Sequence, residues 1–198
     1  MDYYHDKVCL ITGAASGIGG GLAQSLAERK ACVVVTDVDQ DSAVRLADQL
    51  NAQGHRALGC GLDVRSSQDA QDAVGLTLAK YGRLDLLVNN AGVGLAGDLR
   101  DVELSDWKKV IDVNLWGVIH GVHACFPVMV RQGFGQIVNI SSASGLVLRP
   151  GMIPYATSKH AVVGLSNSLR VEAEDLGSSS QRCVSFQYRN PGLQNHGV

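Results

Sequence analysis

The chain has 198 residues, enough for one domain with a substantial core. An apolar content of 45% with 18% charged residues argues against a disordered chain. A formal net charge of −2 with no basic tract argues against a nucleic-acid binder, and the purely apolar stretches are far too short to span a bilayer.

In chain order, strands and helices alternate. The run 8–13 is short, apolar and ends in glycine. Residues 17–30 read as a helix with Ile18, Leu22, Leu26 and Ala27 on one face, and 31–37 as a second apolar strand rich in β-branched residues. Residues 41–54 carry apolar positions at 43, 44, 46, 47 and 50 and stop at glycine, a helix with its C-terminal signal. A weaker strand lies within 55–64, and Ser66 or Ser67 is placed to cap a helix running through Lys80. Residues 84–92 form a strand entering a polar turn, and 103–133 a long helical stretch with Pro127 disturbing its end. A strand at 135–142 and a helix at 155–177, closing on Gly177, complete the pattern. Strands that are apolar throughout, with helices between them, predict an α/β fold: a doubly wound parallel sheet covered on both faces.

The five cysteines, Cys9, Cys32, Cys60, Cys125 and Cys183, are scattered, odd in number and without a CxxC pair. We read them as reduced and structural, which fits a cytoplasmic protein, and the polar start MDYYHDK shows no targeting signal.

The first strand ends in TGAASGIGG, with Gly13, Gly17 and Gly19 between strand and helix. Glycine allows the tight turn and close approach of the backbone to a ligand, and the helix N-terminus favours a pyrophosphate. The spacing is TGxxxGxG and not GxGxxG, so the dinucleotide fingerprint is matched in mechanism only. Asp37 ends the second strand, 18 residues after Gly19. A carboxylate there accepts from the ribose hydroxyls and repels a 2′-phosphate, and no Arg or Lys lies within 31–40 or 13–19 to offset it, so the expected cofactor is NAD. The alternative for Asp37 is a helix N-cap, a task that Asp39 or Asp41 fits better.

With TGAASGIG at 12–19, DV at 63–64, NNAG at 89–92, Asn114, Ser142 and YATSK at 155–159, the chain resembles the classical short-chain dehydrogenase/reductase family over residues 7 to about 177. Extended, sugar-epimerising relatives share YxxxK but carry TGxxGxxG, and fit less well. The resemblance implies a Rossmann-type sheet. It implies that Gly13, Gly17, Ile18 and Gly19 line the pyrophosphate, with Thr12 and Ser16 also binding the cofactor, that Asp63 and Val64 lie by the adenine, and that Asn90, Ala91 and Gly92 pass beneath the cofactor ribose. It also implies a catalytic set of Asn114, Ser142, Tyr155 and Lys159, with Asn114 holding a water that links Lys159 to solvent.

The chemistry suits those residue types. Oxidising an alcohol by hydride transfer needs a base for the hydroxyl proton, and the reverse needs an acid. A free phenol, with a pKa of about 10, is a poor base at neutral pH; lowering it by about three units takes roughly 4 kcal/mol. A positive charge about 4 Å away supplies that much at an effective dielectric near 20. Lys159 is one turn from Tyr155 on the same face, and is expected also to bond the nicotinamide ribose. The alternative is an ordinary surface pair. Ser142 would hold the substrate oxygen, with Ser141 its competitor, since strand alternation lets only one of them face the substrate. The alternative for Asn114, a poor helix former in mid-helix, is a solvent-facing polar residue. His120 and His123 have no third ligand nearby and are not assigned to a metal; Trp107 and Trp116 are expected to pack.

The predicted activity is interconversion of a secondary alcohol and a ketone. Leu146, Val147, Leu148, Met152 and Ile153, in the loop 145–154, suggest substrates with apolar flanks. The apolar faces of 107–126 and 156–171 are expected to serve the core; the resemblance implies that such helices also pair subunits, so a homo-oligomer is expected, with no nucleic acid or membrane as partner. The pattern breaks after 177. Residues 178–198 form a divergent tail in which Arg182–Phe186 could be a strand and Pro191–Gly192 a turn, but QYRN is polar, no Thr follows, and the usual C-terminal helix and last strand are missing. The domain is accordingly 1–177, with an apparently truncated or replaced C-terminus that could compromise assembly. The competing reading is a catalytically incompetent product that still binds nucleotide or a partner.

Overall fold

The computed structural model describes residues 2–147, 150–175 and 181–188, with residues 174, 175 and 181–188 described by their backbone alone. Six strands form one parallel sheet: β1 Val8–Thr12, β2 Cys32–Asp37, β3 Arg56–Gly61, β4 Leu86–Asn89, β5 Gly135–Ser142 and β6 Gln181–Tyr188. Their order in the sheet is β3-β2-β1-β4-β5-β6, the doubly wound arrangement in which the strand order reverses between β1 and β4. The residues described between them form α1 Gly17–Glu28, α2 Gln40–Ala52, α3 Ser67–Tyr81, α4 Leu104–Ile111, α5 Gly117–Gln132 and α6 Ile153–Asp175.

The apolar strands are apolar because both faces are covered. In β1, Cys9 and Ile11 pack with Ala23, Leu26 and Ala27 of α1 and Ala43, Ala47 and Leu50 of α2. Leu10 points the other way, into a cluster with Val74 of α3, Cys125 and Met129 of α5 and Leu169 of α6. The predicted caps form: Asp39 accepts from Ser42 N at the start of α2, and Ser66 from Asp69 N at the start of α3.

Several expectations need correction. Ile18 does not join the core face of α1; it is 48% exposed, because the face that packs is carried by Gly19, Ala23, Leu26 and Ala27. The stretch 103–133 is a rod of three parts: α4, a π-helical turn at Asp112–Trp116, and α5. Pro127 does not disturb α5, whose apolar side, including Gly121, Cys125, Val128 and Met129, is buried on the sheet and holds the helix through the proline. The helix runs to Gln132, and Gly133 takes the left-handed conformation at φ 74°, in keeping with the expected end at 133. Trp116 is half exposed and stacks on His120 with ring centroids 5.8 Å apart; it is not a core residue. By length and composition alone Leu104–Gln132 is apolar enough to cross a membrane, a test that a core helix passes as well. In the fold it lies against α3, the sheet and α6.

β6 draws on the segment set apart as a tail. It pairs with β5 from Gly135↔Gln181 to Ser142↔Tyr188, since a parallel ladder uses backbone groups whatever the side chains. Residues 148–149, 176–180 and 189–198, which include Leu148, Gly177 and the Pro191–Gly192 turn, lie outside the described residues.

Candidate active site

The carboxyl ends of β1 and β4 lie side by side where the strand order reverses, and the loops leaving them build one site. Gly13 and Gly17 take the left-handed conformation, at φ 61° and 56°, which a glycine adopts without strain. The loop is locked to β4 by close packing. A Cβ built on Gly13 would lie 2.8 Å from Ala91 Cα, and one on Gly19 would collide with the Gly13 carbonyl oxygen and lie 2.5 Å from Asn90 Nδ2. Asn90 Nδ2 donates to the carbonyls of Thr12 (3.0 Å) and Gly13 (2.9 Å). Thr12 Oγ1 accepts from the N–H groups of Asn90 (3.0 Å) and Ala91 (3.1 Å). Thr12 is thus a buried brace for the two turns, and Asn90 is one as well, while Asn90 also lines the cleft.

Above these turns is a cavity of about 500 Å³. Of the residues expected to hold a dinucleotide, Gly13, Ser16, Ile18, Asp37, Asp63, Val64, Asn90, Ala91 and Gly92 line it. Thr12 and Gly19 are buried behind that lining, and Gly17 is exposed outside it. Asp37 Oδ2 accepts from Ala15 N (3.1 Å) and Oδ1 from Asp39 N (3.1 Å), so the same carboxylate that borders the cavity steadies the glycine loop. Sequence reasoning missed Val38, Arg65, Lys109 and Val113, which also border it. Arg65 grips Asp63 with Nη2 at 2.6 Å and Nε at 2.9 and 3.0 Å, and this hydrogen-bonded pair holds the Asp63 carboxyl below the usual carboxylate range.

Beyond the cavity lies the second half of the site. Asn114 is in the π turn, fully buried. A π turn inserts one residue into the helical ladder and is often found at functional sites. Here it presents the amide of Asn114 to the turn after β4: Oδ1 accepts from Val93 N (2.8 Å), and Nδ2 donates to Val93 O (2.9 Å) and Ser158 Oγ (3.2 Å). The solvent-facing alternative for Asn114 is therefore excluded. Lys159 is 4% exposed; its Nζ donates to Ile140 O (2.8 Å) and lies 5.7 Å from the centre of the Tyr155 ring. Burial pulls the Lys159 ammonium down to about 8. A Cβ on Gly92 would lie 3.3 Å from Asn114 Oδ1 and 3.6 Å from Lys159 Nζ, so these three residues converge on one point.

Tyr155 sits in the first turn of α6 and is partly exposed. Ser158, inside YATSK but not singled out, donates to Tyr155 O (2.7 Å) and receives Asn114, so it joins the helix to the π turn. The two serines of β5 divide as alternation requires. Ser141 Oγ is buried and donates to Lys159 O (3.0 Å), while Ser142 starts the short 3₁₀ turn Ala143–Gly145 and its Oγ accepts from Ser144 N (3.2 Å). His120 Nδ1 pairs with Val64 O (2.9 Å), a packing bond.

Comparison with known proteins accounts for this arrangement. The family model described as short chain dehydrogenase matches residues 7–192. The chain is 40% identical over 188 residues, 95% of its length and 73% of the relative's, to the (2S)-[(R)-hydroxy(phenyl)methyl]succinyl-CoA dehydrogenase subunit BbsD of Thauera aromatica. It superposes with a TM-score of 0.90 and 34% identity on a short chain dehydrogenase/reductase from Burkholderia phymatum in complex with NAD, covering 100% of this chain and 75% of that one. With a gluconate 5-dehydrogenase from Burkholderia cenocepacia J2315 in complex with NADP and tartrate the TM-score is 0.86 at 32% identity, covering 94% and 72%. The chain spans 65–73% of the length of the first curated relatives it matches. The chain belongs to the short-chain dehydrogenase family.

Proposed function

We propose that this chain binds NAD(H) in the cleft and interconverts a secondary alcohol and a ketone with apolar flanks. The observation that carries the reading is the buried Lys159 ammonium, held on Ile140 O one helical turn from Tyr155, beside the point where Gly92 and Asn114 meet. The cofactor fits because the glycine loop, held against β4 by close packing at Gly13 and Gly19, borders the cavity together with Asp37. Gly13, Ser16, Gly17, Ile18 and Gly19 would hold the pyrophosphate, Asp63 and Val64 the adenine, and Asn90, Ala91, Gly92 and Lys159 the nicotinamide half. NAD(H), when bound, supplies the hydride acceptor or donor.

Tyr155 takes the hydroxyl proton during oxidation and returns it to the carbonyl oxygen during reduction. Lys159 opposes the tyrosinate charge, in a site dry enough for that charge to count. Ser142 holds the substrate oxygen. Both donors of the Asn114 amide are used, which leaves one lone pair of Oδ1 for the water that would lead from Lys159 to solvent. Leu146 and Val147, each about half exposed, and Ile153 support an apolar substrate wall. A homo-oligomer and a cytoplasmic location belong to the same proposal; the free cysteines Cys9, Cys32 and Cys125, buried as small apolar residues, fit a reducing compartment.

The test is NADH fluorescence enhancement followed by turnover on a panel of secondary alcohols. Binding with turnover is expected. Binding without turnover on any substrate would favour a nucleotide-binding product, and no binding would remove the cofactor assignment.

A further inference from the structure

Below the site, three buried polar side chains form a line that the chemistry above does not use. Asn89 and Asn139 face each other across the β4–β5 ladder, with Asn89 Nδ2 donating to Asn139 Oδ1 at 2.8 Å. Asn139 Nδ2 donates to Ser166 Oγ at 2.9 Å, and Ser166 donates to the carbonyl of Val162 at 2.7 Å. The three residues are 2%, 0% and 2% exposed.

The direction of the line is forced from its helix end. A carbonyl only accepts, so the Ser166 hydroxyl donates to Val162 O and is left to accept from Asn139. Asn139 must then turn its oxygen toward Asn89. The remaining oxygen, Asn89 Oδ1, ends the line beside Gly121 without a hydrogen-bond partner among the described residues. A buried polar line of this kind is costly when half made, so it tolerates one arrangement and no partial slide.

Its position links it to the reaction. Three consecutive residues of β5 each hold α6: Asn139 through Ser166, Ile140 through Lys159 Nζ, and Ser141 through Lys159 O. The next residue is Ser142. Ser166 is seven residues after Lys159, two turns along the same face. Apolar neighbours on that face, Val162 and Leu169, pack without fixing a register; the hydrogen bonds do fix one.

We propose that Asn139 and Ser166 are positioning residues: their bond sets α6 at one height along β5, and so sets Tyr155 and Lys159 against Ser142. The kinetic consequence rests on the proposed function; the structural one does not.

The test uses the full chain with Ser166→Ala. A displacement of about 1 Å in a catalytic group can cost on the order of 100-fold, so kcat is expected to fall by about 10- to 100-fold. The Kd for NADH should change less than kcat, by no more than about fivefold, because the glycine loop is untouched and only the Lys159 contact to the nicotinamide half is displaced. Ser166→Thr, which keeps the hydroxyl, should restore kcat to within about threefold of the original. The second readout is the titration of Lys159, followed by NMR on lysine-labelled protein. It should move up from about 8 toward the ordinary 10.5 in Ser166→Ala and stay in place in Ser166→Thr. A lowered Tm with unchanged kcat and an unchanged Lys159 titration would mean a structural bolt only, and would overturn the proposal. If the original chain does not turn over, the titration still decides: a shift supports positioning while the hydride-transfer reading fails, and no shift overturns positioning. Should Ser166→Ala not fold, Ser166→Cys is read the same way, with smaller changes in the same direction.

Discussion

Lys159 is a charged residue placed where charge is disfavoured, and replacing it by methionine should separate its cost from its use. Burial lowers its pKa from 10.5 to about 8, which at about 1.36 kcal/mol per unit corresponds to about 3 kcal/mol against the charged form in the folded state. Lys159→Met removes that penalty along with one hydrogen bond, that from Nζ to Ile140 O, worth about 1 kcal/mol. At pH 7 the methionine variant should therefore be as stable as the original or more so, while losing activity. The sign with pH follows from proton counts. Between about pH 8 and 10.5 the unfolded lysine keeps its proton and the folded one has lost it, so the original chain gains stability with rising pH. Below about pH 8 both are protonated and the difference is flat. Urea unfolding of both proteins from pH 7 to 10.5 measures this directly. The cysteines and the other tyrosines titrate alike in the two chains and cancel in the difference; Tyr155, which faces Lys159, is removed from it by making both measurements in a Tyr155→Phe background. The original should gain on the variant by up to about 3 kcal/mol across that window. A difference that does not vary with pH would refute a desolvated ammonium at this site.

Other substitutions probe the remaining parts. Gly19→Ala puts a Cβ 2.5 Å from Asn90 Nδ2 and against the Gly13 carbonyl; NADH affinity, read by fluorescence, should drop by about two orders of magnitude or more, as the cradle cannot keep its shape. Asp37→Ala should weaken NADH by about tenfold and narrow the preference over NADPH, with part of the loss arising from the freed Ala15 N–H; an unchanged NADH/NADPH ratio counts against Asp37 as the selector. At the opposite end of the sheet, Asp85 is 7% exposed. Burial pushes its carboxyl up, but bonds from Arg83, Val8 N and Lys7 hold it below the ordinary range. Asp85→Asn should cost about 3 kcal/mol in urea unfolding at pH 7, since it leaves partly buried cations unpaired. Because the folded pKa is depressed, the Asp85 contribution is present above about pH 4 and fades as pH falls through the folded value, so the variant should show a shallower loss of stability in acid.

The features legible in the sequence were those encoded by local spacing. TGAASGIG at the end of an apolar strand and YATSK on a helix each carry their geometry within a few residues, and both halves of the site lie where that spacing puts them. Residues whose role depends on a distant partner were not legible. Ser158 reads as one more polar residue in YATSK, and only the fold shows it between Tyr155 O and Asn114. The π turn at Asp112–Trp116 has the same 3.6-residue pattern as a straight helix until the inserted residue is seen in three dimensions. Ile18 was assigned to the core by periodicity, which cannot distinguish a face turned to the sheet from one turned to a ligand cleft. Pro127, which the pattern expects to disturb the end of its helix, leaves it intact because burial outweighs the lost backbone bond.

The most direct test of the account is Tyr155→Phe, which removes one oxygen and leaves the fold, the glycine cradle and Lys159 in place. NADH binding and turnover on the best secondary alcohol should be measured on the same preparation. The account predicts NADH affinity within a few-fold of the original and turnover reduced by at least about 100-fold, the lower end of what a positioned acid–base group supplies. Turnover that survives the loss of the hydroxyl would contradict it.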